Sequence, residues 1–145
     1  MEADVAGIAK VLGGREVLGT ELRSLGDLER AVVEGLPKET VRRLARAVYG
    51  DAHHQRALIH AIMPEATYKR RQSRLSQAES ERAERLARIV SKARAVWNDD
   101  GDAAEFLTRP HPLLEGRSPL DVVRSEVGAK RVEQILGALD YGLPV

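Results

Sequence analysis

The sequence predicts an all-α protein, and three of its properties support that class. Apolar residues recur at helical spacing along most of the chain, as in Val41, Leu44, Ala45 and Val48, which places them on one face of a helix. No stretch alternates between apolar and polar residues as a β-strand would. Apolar residues make up 43% of the 145 residues but aromatic residues only 3%. Aliphatic side chains must therefore form the core, which favours helices that pack through aliphatic stripes.

Three helices are predicted before residue 50, because capping or breaking residues bracket each apolar stripe. The residues that bound them are, in order, Gly13-Gly14 after the first helix, Ser24 or Asp27 and then Gly35 around the second, and Pro37 and Gly50 around the third. Pro37 is expected at a first helical position, where proline is tolerated because an N–H there would have no helical partner.

The middle of the chain predicts a helix, a tight turn, a short polar helix and then the longest helix. Asp51 is a candidate N-cap for the first of these, and Met63-Pro64 breaks it. The short polar helix is expected over residues 65–74. Ser76-Gln77-Ala78-Glu79 has the spacing of a capping box, in which the Ser and Glu side chains satisfy opposite N–H groups. The long helix that follows carries an apolar stripe ending at Trp97, which is expected in the core.

Several short helices are predicted in the last third, between closely spaced breaking residues. Pro110 and Pro112 predict an extended loop, because each proline restricts the residue before it. Ser118-Pro119 has the cap-then-proline pattern of a helix start. Residues 98–101 are expected to end the long helix, and Gly142 is expected to close the last helix. Asp102 and Ser125 are expected to begin helices.

Charge is distributed unevenly between the two ends of the chain. The formal net charge is +1, but residues 1–98 carry 18 Lys and Arg against 13 Asp and Glu, whereas residues 99–145 carry 5 against 9. A basic front and an acidic back suggest different partners for the two parts.

Composition excludes several classes of protein. The chain has no cysteine, which excludes disulfides and thiolate catalysis and fits a reducing compartment. It has no apolar run of the ~20 residues that span a bilayer, and its acidic start, Met1-Glu2-Ala3-Asp4, lacks the pattern of a signal peptide. We expect a soluble cytoplasmic protein with no membrane partner.

Residues 52–74 predict a helix-turn-helix whose second helix binds double-stranded DNA. That helix mixes Lys and Arg with Gln, Thr and Ser, the side chains that bind phosphates and base edges. Because the N-terminal part of such a helix enters the major groove, Glu65, Thr67 and Tyr68 are expected nearest the bases. The turn lacks the glycine often found in this motif. The predicted DNA-binding residues are Thr67, Tyr68, Lys69, Arg70, Arg71 and Arg74.

The cations of the long helix, Arg82, Arg85, Arg88 and Lys92, have two interpretations. They either extend the DNA-binding surface, or they form a solvated face in which glutamates three or four residues away are their partners. The sequence leaves both open.

No set of residues predicts catalysis or metal binding. His53 and His60 are seven residues apart, two helical turns, which is too far for the usual zinc spacing on a helix. The turn at residues 98–101 does not fit a calcium loop, because Val96 and Leu107 would occupy ligand positions. We expect no enzymatic activity, no cofactor and no metal.

Three stretches of the chain, each short, together resemble the Xre/MbcA/ParS family of antitoxins, the partners of RES-domain toxins. The front stretch is Val11-Leu12-Gly13-Gly14 with Asp27-Leu28 and Gly35-Leu36-Pro37. The middle stretch runs from Met63-Pro64-Glu65 through Ser76-Gln77-Ala78-Glu79 to Arg88. The last stretch includes Phe106-Leu107, Pro110, Pro112, Ser118-Pro119-Leu120-Asp121, Gly128-Ala129 and Tyr141-Gly142.

This resemblance implies a function. Toxins of these systems degrade NAD⁺, and the C-terminal domain of the antitoxin covers the entrance to the toxin's NAD pocket with its terminal residues. The toxin-binding residues implied here are Pro110, Pro112, Leu113, Tyr141, Gly142, Leu143, Pro144 and Val145. The resemblance also implies a homodimer that binds the promoter of its own operon.

The expected domains are residues 1–75, a helix-turn-helix-like DNA-binding and dimerisation region, and residues 76–145, the long connecting helix with a toxin-binding domain. One alternative is a stand-alone helix-turn-helix transcription regulator without a toxin, because the front half supports both. A second is an antitoxin that has lost DNA binding, because the turn is atypical. The apolar tail Leu143-Pro144-Val145 favours the antitoxin, since Pro144 lowers the entropy cost of ordering it in a partner's pocket, although such a tail can also be a frayed terminus.

Overall fold

Residues 4–142 are described by the computed structural model, and in this range the chain is helical. No strand forms there, and the backbone pairs outside helices in one isolated antiparallel bridge, between Pro37 and Arg74. The all-α prediction is confirmed. The helices are α1 (Val5–Val11), α2 (Gly14–Leu18), α3 (Leu25–Glu34), α4 (Glu39–Val48), α5 (Ala52–Ile62), α6 (Glu65–Arg70), α7 (Gln77–Trp97), α8 (Asp100–Thr108), a 3-10 turn (Pro112–Leu114), α9 (Pro119–Val122) and α10 (Glu126–Asp140).

The 21-residue helix α7 is the centre of the molecule. It contacts α1, α3, α4 and α5 from the front of the chain and α8 and α10 from the back. Ala83, Ala87, Ile89, Val90 and Ala93 are fully or almost fully buried on it, and the three alanines let neighbouring backbones approach closely because their side chains are small. The front and back of the chain therefore share one core, built around α7.

The predicted helix starts are confirmed where a side chain caps the first turn. Ser24 accepts a hydrogen bond from the N–H of Asp27 at 3.1 Å, and Asp51 accepts one from the N–H of His54 at 2.9 Å. The capping box at α7 is complete: Ser76 Oγ accepts from the N–H of Glu79 at 3.1 Å, and Glu79 Oε1 accepts from the N–H of Ser76 at 2.8 Å. Ser118 and Ser125 cap α9 and α10 in the same way.

The short polar helix was predicted too long. It ends at Arg70, not at residue 74, because the following backbone leaves the helix and binds the segment before α4. The N–H of Lys38 donates to the carbonyl of Ser73, and the N–H of Leu75 donates to the carbonyl of Leu36, both at 2.8 Å. The same contacts explain why Pro37 lies before α4 and not at its first position: α4 begins at Glu39.

Three further predictions need correction. Helix α2, a single turn flanked by Gly13 and Gly19, both at positive φ, was not predicted. Helix α8 begins at Asp100, not at Asp102, because Asp99 is the cap and accepts the N–H of Asp102. Trp97 was expected in the core but is 39% exposed, at the last position of α7, with its ring 6.1 Å from that of Phe106.

Replacement of Gly128 by Ala is expected to lower the free energy of unfolding by about 1–3 kcal/mol, as other over-packed sites do. A Cβ at Gly128 would lie 1.8 Å from the carbonyl oxygen of Val122, so α10 and α9 would have to move apart. Denaturant unfolding followed by circular dichroism measures the change.

The matched control is Gly137→Ala, on the same helix α10. A Cβ there meets no atom within 4 Å, so the substitution should raise stability by up to ~1 kcal/mol through helix propensity. Equal effects of the two substitutions would contradict the close packing of α10 against α9.

Candidate functional site

Helices α5 and α6 form a helix-turn-helix whose turn is Met63-Pro64. Both turn residues have extended backbone, with φ/ψ of −154°/145° and −56°/150°, so the turn needs no glycine at positive φ. Met63 is buried, and Arg82 of α7 donates from Nε to the carbonyl of Ile62 at 2.7 Å. These contacts hold the end of α5 and thereby position α6.

Two of the six predicted DNA-binding residues are exposed on α6, together with Glu65 and Ala66. Lys69 and Arg70 are exposed, whereas Thr67 and Tyr68 are half-buried. Lys69 forms an exposed ion pair with Glu65 at 3.1 Å, a type of contact that contributes little in water and is readily exchanged. Arg70 lies within 3.4 Å of the Thr67 hydroxyl. Lys69 and Arg70 are therefore available to an anionic partner.

Arg71 and Arg74, by contrast, bind groups of the protein itself. Arg71 donates two hydrogen bonds to the buried carboxylate of Glu79, at 3.0 and 3.2 Å. Burial alone would raise the pKa of Glu79, but the hydrogen bonds from Arg71 and Ser76 outweigh it and hold that pKa below its usual range. Arg74 donates from Nη1 to the carbonyl of Gly35 at 2.8 Å. Both arginines thus fasten the segment after α6 to the rest of the fold.

The cations of α7 also have intramolecular partners. Arg85 and Arg88 pair with Glu126 at 2.8 and 3.4 Å, and Lys92 pairs with Glu133. Arg88 additionally pairs with Glu84 at 3.3 Å. The sequence suggested that these cations either bind DNA or pair with glutamates three or four residues away. Arg85 and Lys92 do neither, because their partners lie more than thirty residues away on α10. These side chains join α7 to α10.

A cationic groove lies between α4 and α5, beside α6, and was missed by the sequence analysis. It has a volume of about 210 Å³, and its lining includes Arg42 and Arg46 of α4, Arg56 of α5 and Tyr68 of α6. Lys38 lies at its edge, with Nζ 4.3 Å from the centroid of the Tyr68 ring. The sequence pattern that could have predicted this groove is the spacing of residues 38, 42 and 46, which places three cations on one helix face.

The predicted loop around Pro110 and Pro112 is a braced turn that exposes Leu113. Nδ1 of His111 accepts the N–H of Leu113 at 3.1 Å and so caps the 3-10 turn. Pro110 and Pro112 are exposed, and Leu113 is 52% exposed, while the next residue, Leu114, is fully buried. The turn therefore holds an apolar side chain in solvent from a fixed backbone.

Two arginines and one glutamate brace this turn from behind. Glu115, at a positive φ of 56°, pairs with Arg131 of α10 at 2.6 Å and with Arg117 at 2.7 Å. The hydrogen bonds from Arg131 and then Arg117 lower the pKa of Glu115 to about 2. Arg131 also donates to the carbonyl of Leu113 at 3.0 Å, so the ion pairs reach the exposed leucine itself.

An open groove of about 370 Å³ runs from Leu113 along α10. Arg131, Gln134 and Ala138 line it, and none of the three was predicted as a site residue. At the end of α10, Tyr141 is 80% exposed and Gly142 has a φ of +73°, as expected for a glycine that closes a helix. The predicted toxin-binding residues Leu143, Pro144 and Val145 lie outside the described residues.

Within residues 4–142, no group of three or more His, Asp or Glu side chains is arranged to hold a metal ion. None of the helices described is both long enough and apolar enough to cross a membrane.

The fold and these surfaces define a class: a helical protein with a helix-turn-helix at the front and a small helical domain with an exposed, braced turn at the back. Comparison with known proteins matches both parts. Residues 27–88 match the model of the antitoxin Xre-like helix-turn-helix domain, and residues 92–142 match the antitoxin Xre/MbcA/ParS C-terminal toxin-binding domain. The chain belongs to the Xre/MbcA/ParS-like antitoxin family.

A relative supports the same assignment. The chain is 33% identical over 87 residues to a protein of Pseudomonas putida described as antitoxin Xre. The similarity covers 57% of this chain and 55% of the relative, so the chain matches about half the length of that protein.

Replacement of Arg71 by Ala is expected to lower the free energy of unfolding by about 1–3 kcal/mol at pH 7, because it leaves the buried carboxylate of Glu79 without its side-chain donors. The folded-state pKa of Glu79 is lowered, so its stabilising contribution is present above its unfolded pKa and disappears as the pH falls through the folded pKa. The difference from the unmodified protein should therefore narrow in acid, as measured by urea unfolding at several pH values.

Arg70→Ala is the matched control, because the Arg70 side chain is exposed and has no buried partner. Its effect on stability should stay within about 0.5 kcal/mol. An equal loss in the two variants, or a loss that does not depend on pH, would contradict the assigned role of Arg71.

Proposed function

We propose that this protein is an antitoxin of a type II toxin–antitoxin system with two binding surfaces. The back surface, formed by the braced turn, the groove along α10 and the end of α10, binds and covers a toxin. The front surface, on α6, binds double-stranded DNA. Membership of the antitoxin family supports both roles, because the matched helix-turn-helix and toxin-binding regions contain α6 and the braced turn respectively.

The observation that carries the toxin-binding proposal is the exposure of Leu113 on a rigid backbone. Leu113 is 52% exposed, and Arg131 binds both its carbonyl and the Glu115 carboxylate. The backbone of the turn therefore loses little conformational entropy when this side chain binds. Tyr141, 80% exposed directly after the last residue of α10, is a second anchor of the kind enriched in binding hot spots. Leu113 and Tyr141 thus offer a partner two exposed apolar contacts.

The partner we propose is a RES-domain toxin that degrades NAD⁺, and the mechanism is occlusion. The basis for this partner is the family resemblance: in such systems the end of the antitoxin covers the entrance to the NAD pocket. Pro110, Pro112, Leu113 and residues 141–145 are the proposed contacts. The antitoxin itself supplies no chemistry in this mechanism.

On the DNA side, we propose that Lys69 and Arg70 contact the promoter of the protein's own operon and that Thr67 lies nearest the bases. Two copies of a helix-turn-helix commonly bind two half-sites, so a homodimer is the proposed binding species. Arg71 and Arg74 act here by holding the segment that follows α6, since both are bound to the protein's own groups.

Co-expression with the product of the neighbouring gene tests the proposal. Growth and the cellular NAD⁺ level are measured with and without this chain. The expected result is that the neighbour alone lowers both and that this chain restores both. If the neighbour affects neither quantity, the stand-alone transcription regulator becomes the better explanation.

Deletion of residues 143–145 is expected to weaken neutralisation strongly while changing the free energy of unfolding by less than about 0.5 kcal/mol. The proposed reason is that these residues block the toxin's pocket, whereas the buried core described above lies between Ile8 and Leu136. Growth of the co-expressing cells and denaturant unfolding of the purified protein give the two readouts. Full protection by the shortened chain would refute the blocking role.

Leu113→Asp tests the braced turn in the same assay, and Leu25→Asp is its control. Both leucines are exposed, at 52% and 64%, but Leu25 lies on α3, outside the proposed toxin surface. Neutralisation should be weakened by the first substitution and unaffected by the second.

The double substitution of Lys69 and Arg70 by Ala is expected to flatten the salt dependence of promoter binding. Each lost phosphate contact lowers the slope of log Kd against log salt by about 0.9, so a decrease of about 2 is expected. Fluorescence anisotropy with duplex promoter DNA measures it. The control replaces Lys10 and Lys130, two exposed lysines of α1 and α10, and should leave the slope unchanged; an unchanged slope in both variants would remove α6 from the phosphate contacts.

A further inference from the structure

We infer that the cationic groove between α4 and α5 is a second phosphate-binding site, which holds the backbone of the same DNA duplex that α6 contacts. The inference rests on the proposed DNA-binding function and extends it beyond the helix-turn-helix. Its residues are Lys38 and Arg46 from the α4 side and Arg56 from α5, with Arg42 as an additional donor.

The groove has the composition of an anion site. Lys38, Arg42 and Arg46 lie four residues apart and so share one face of the α4 segment, and Arg56 faces them from α5 across about 210 Å³ of open space. The floor contains Ile59 and the half-buried ring of Tyr68. Guanidinium groups on such a low-dielectric floor interact more strongly with a phosphate than they would in open water.

Most of these charges have no carboxylate partner among residues 4–142. In the part of the chain that the structure describes, Lys38, Arg46 and Arg56 pair with no carboxylate, and Arg42 pairs weakly with Glu39 at 3.6 Å. Nearby acids are already engaged: Asp51 with His54 at 2.8 Å, and Glu65 with Lys69 at 3.1 Å. This differs from α7, where Arg85, Arg88 and Lys92 are paired with α10.

The groove and α6 form one continuous surface, because Tyr68 belongs to both. Its ring lines the groove and lies under Lys38, while the next two residues are the exposed Lys69 and Arg70. An extended polyanion that contacts α6 therefore passes directly over the groove. Duplex DNA meets this requirement, since its phosphates are spaced regularly along a rigid helix and a helix-turn-helix is commonly flanked by backbone contacts.

The test is the double variant Arg46→Ala with Arg56→Ala, measured against duplex promoter DNA between 50 and 200 mM salt. The slope of log Kd against log salt should fall by about 2 relative to the unmodified protein. Between 50 and 200 mM salt, the fold-increase in Kd should thus be about ten times smaller for the variant than for the unmodified protein. Because phosphate contacts carry no sequence information, the preference for promoter over scrambled duplex should be unchanged.

The control variant replaces Lys10 and Lys130, which removes the same net charge away from the groove and should keep the full slope. Circular dichroism and denaturant unfolding verify that both variants are folded. If the unmodified protein binds the promoter but the groove substitutions leave the salt slope unchanged, this inference is overturned and the proposed DNA-binding function is not. No promoter binding by the unmodified protein would overturn the DNA-binding function itself, and a larger effect on an RNA hairpin than on duplex DNA would overturn the choice of partner.

Discussion

The hydrogen bonds of the buried Glu79 carboxylate fix the start of α7, the helix against which most of the other helices pack. The carboxylate closes the capping box with Ser76 at the first turn of α7 and accepts both hydrogen bonds from Arg71. One residue further, the buried Ser80 hydroxyl accepts the N–H of Leu36 at 2.8 Å. The start of the central helix, the segment after α6 and the segment before α4 thus meet at adjacent residues. A carboxylate is stable in this buried position because its oxygens have charged or backbone donors.

Local signals in the sequence were sufficient to predict the helix starts, whereas the ends and the loops depend on contacts far along the chain. Ser24, Asp51 and Ser125 each cap a helix within three residues of themselves, so spacing alone identifies them. The end of α6 at Arg70 and the position of Pro37 depend on backbone pairing between segments more than thirty residues apart, which no local pattern records. Trp97 was misplaced because the cover over its ring at the end of α7 depends on α8, whose Phe106 ring lies 6.1 Å away and leaves Trp97 39% exposed.

The candidate sites show the same division between local and distant information. A run of cations predicted a basic surface after residue 65, and Lys69 and Arg70 are indeed exposed there. Arg71 and Arg74 look equivalent to them in the sequence, yet each binds a group brought near by the fold. Their partners, Glu79 and the carbonyl of Gly35, become evident only when α7 is packed against the front of the chain. The groove between α4 and α5 was missed for the same reason, since it needs two helices and the ring of Tyr68.

Part of the charge difference between the front and the back of the chain is used inside the molecule. Glu126, the first residue of α10, pairs with Arg85 and Arg88, and the hydrogen bond from Arg85 is the main reason that its pKa is lowered. Negative charge at this position also interacts favourably with the N-terminus of α10. Basic residues of the front region and acidic residues of the back region therefore hold the two parts together around α7. The charge that faces a partner has to be judged from the side chains that the described fold leaves without a carboxylate partner, and around α6 and the adjoining groove these are Lys38, Arg46, Arg56 and Arg70.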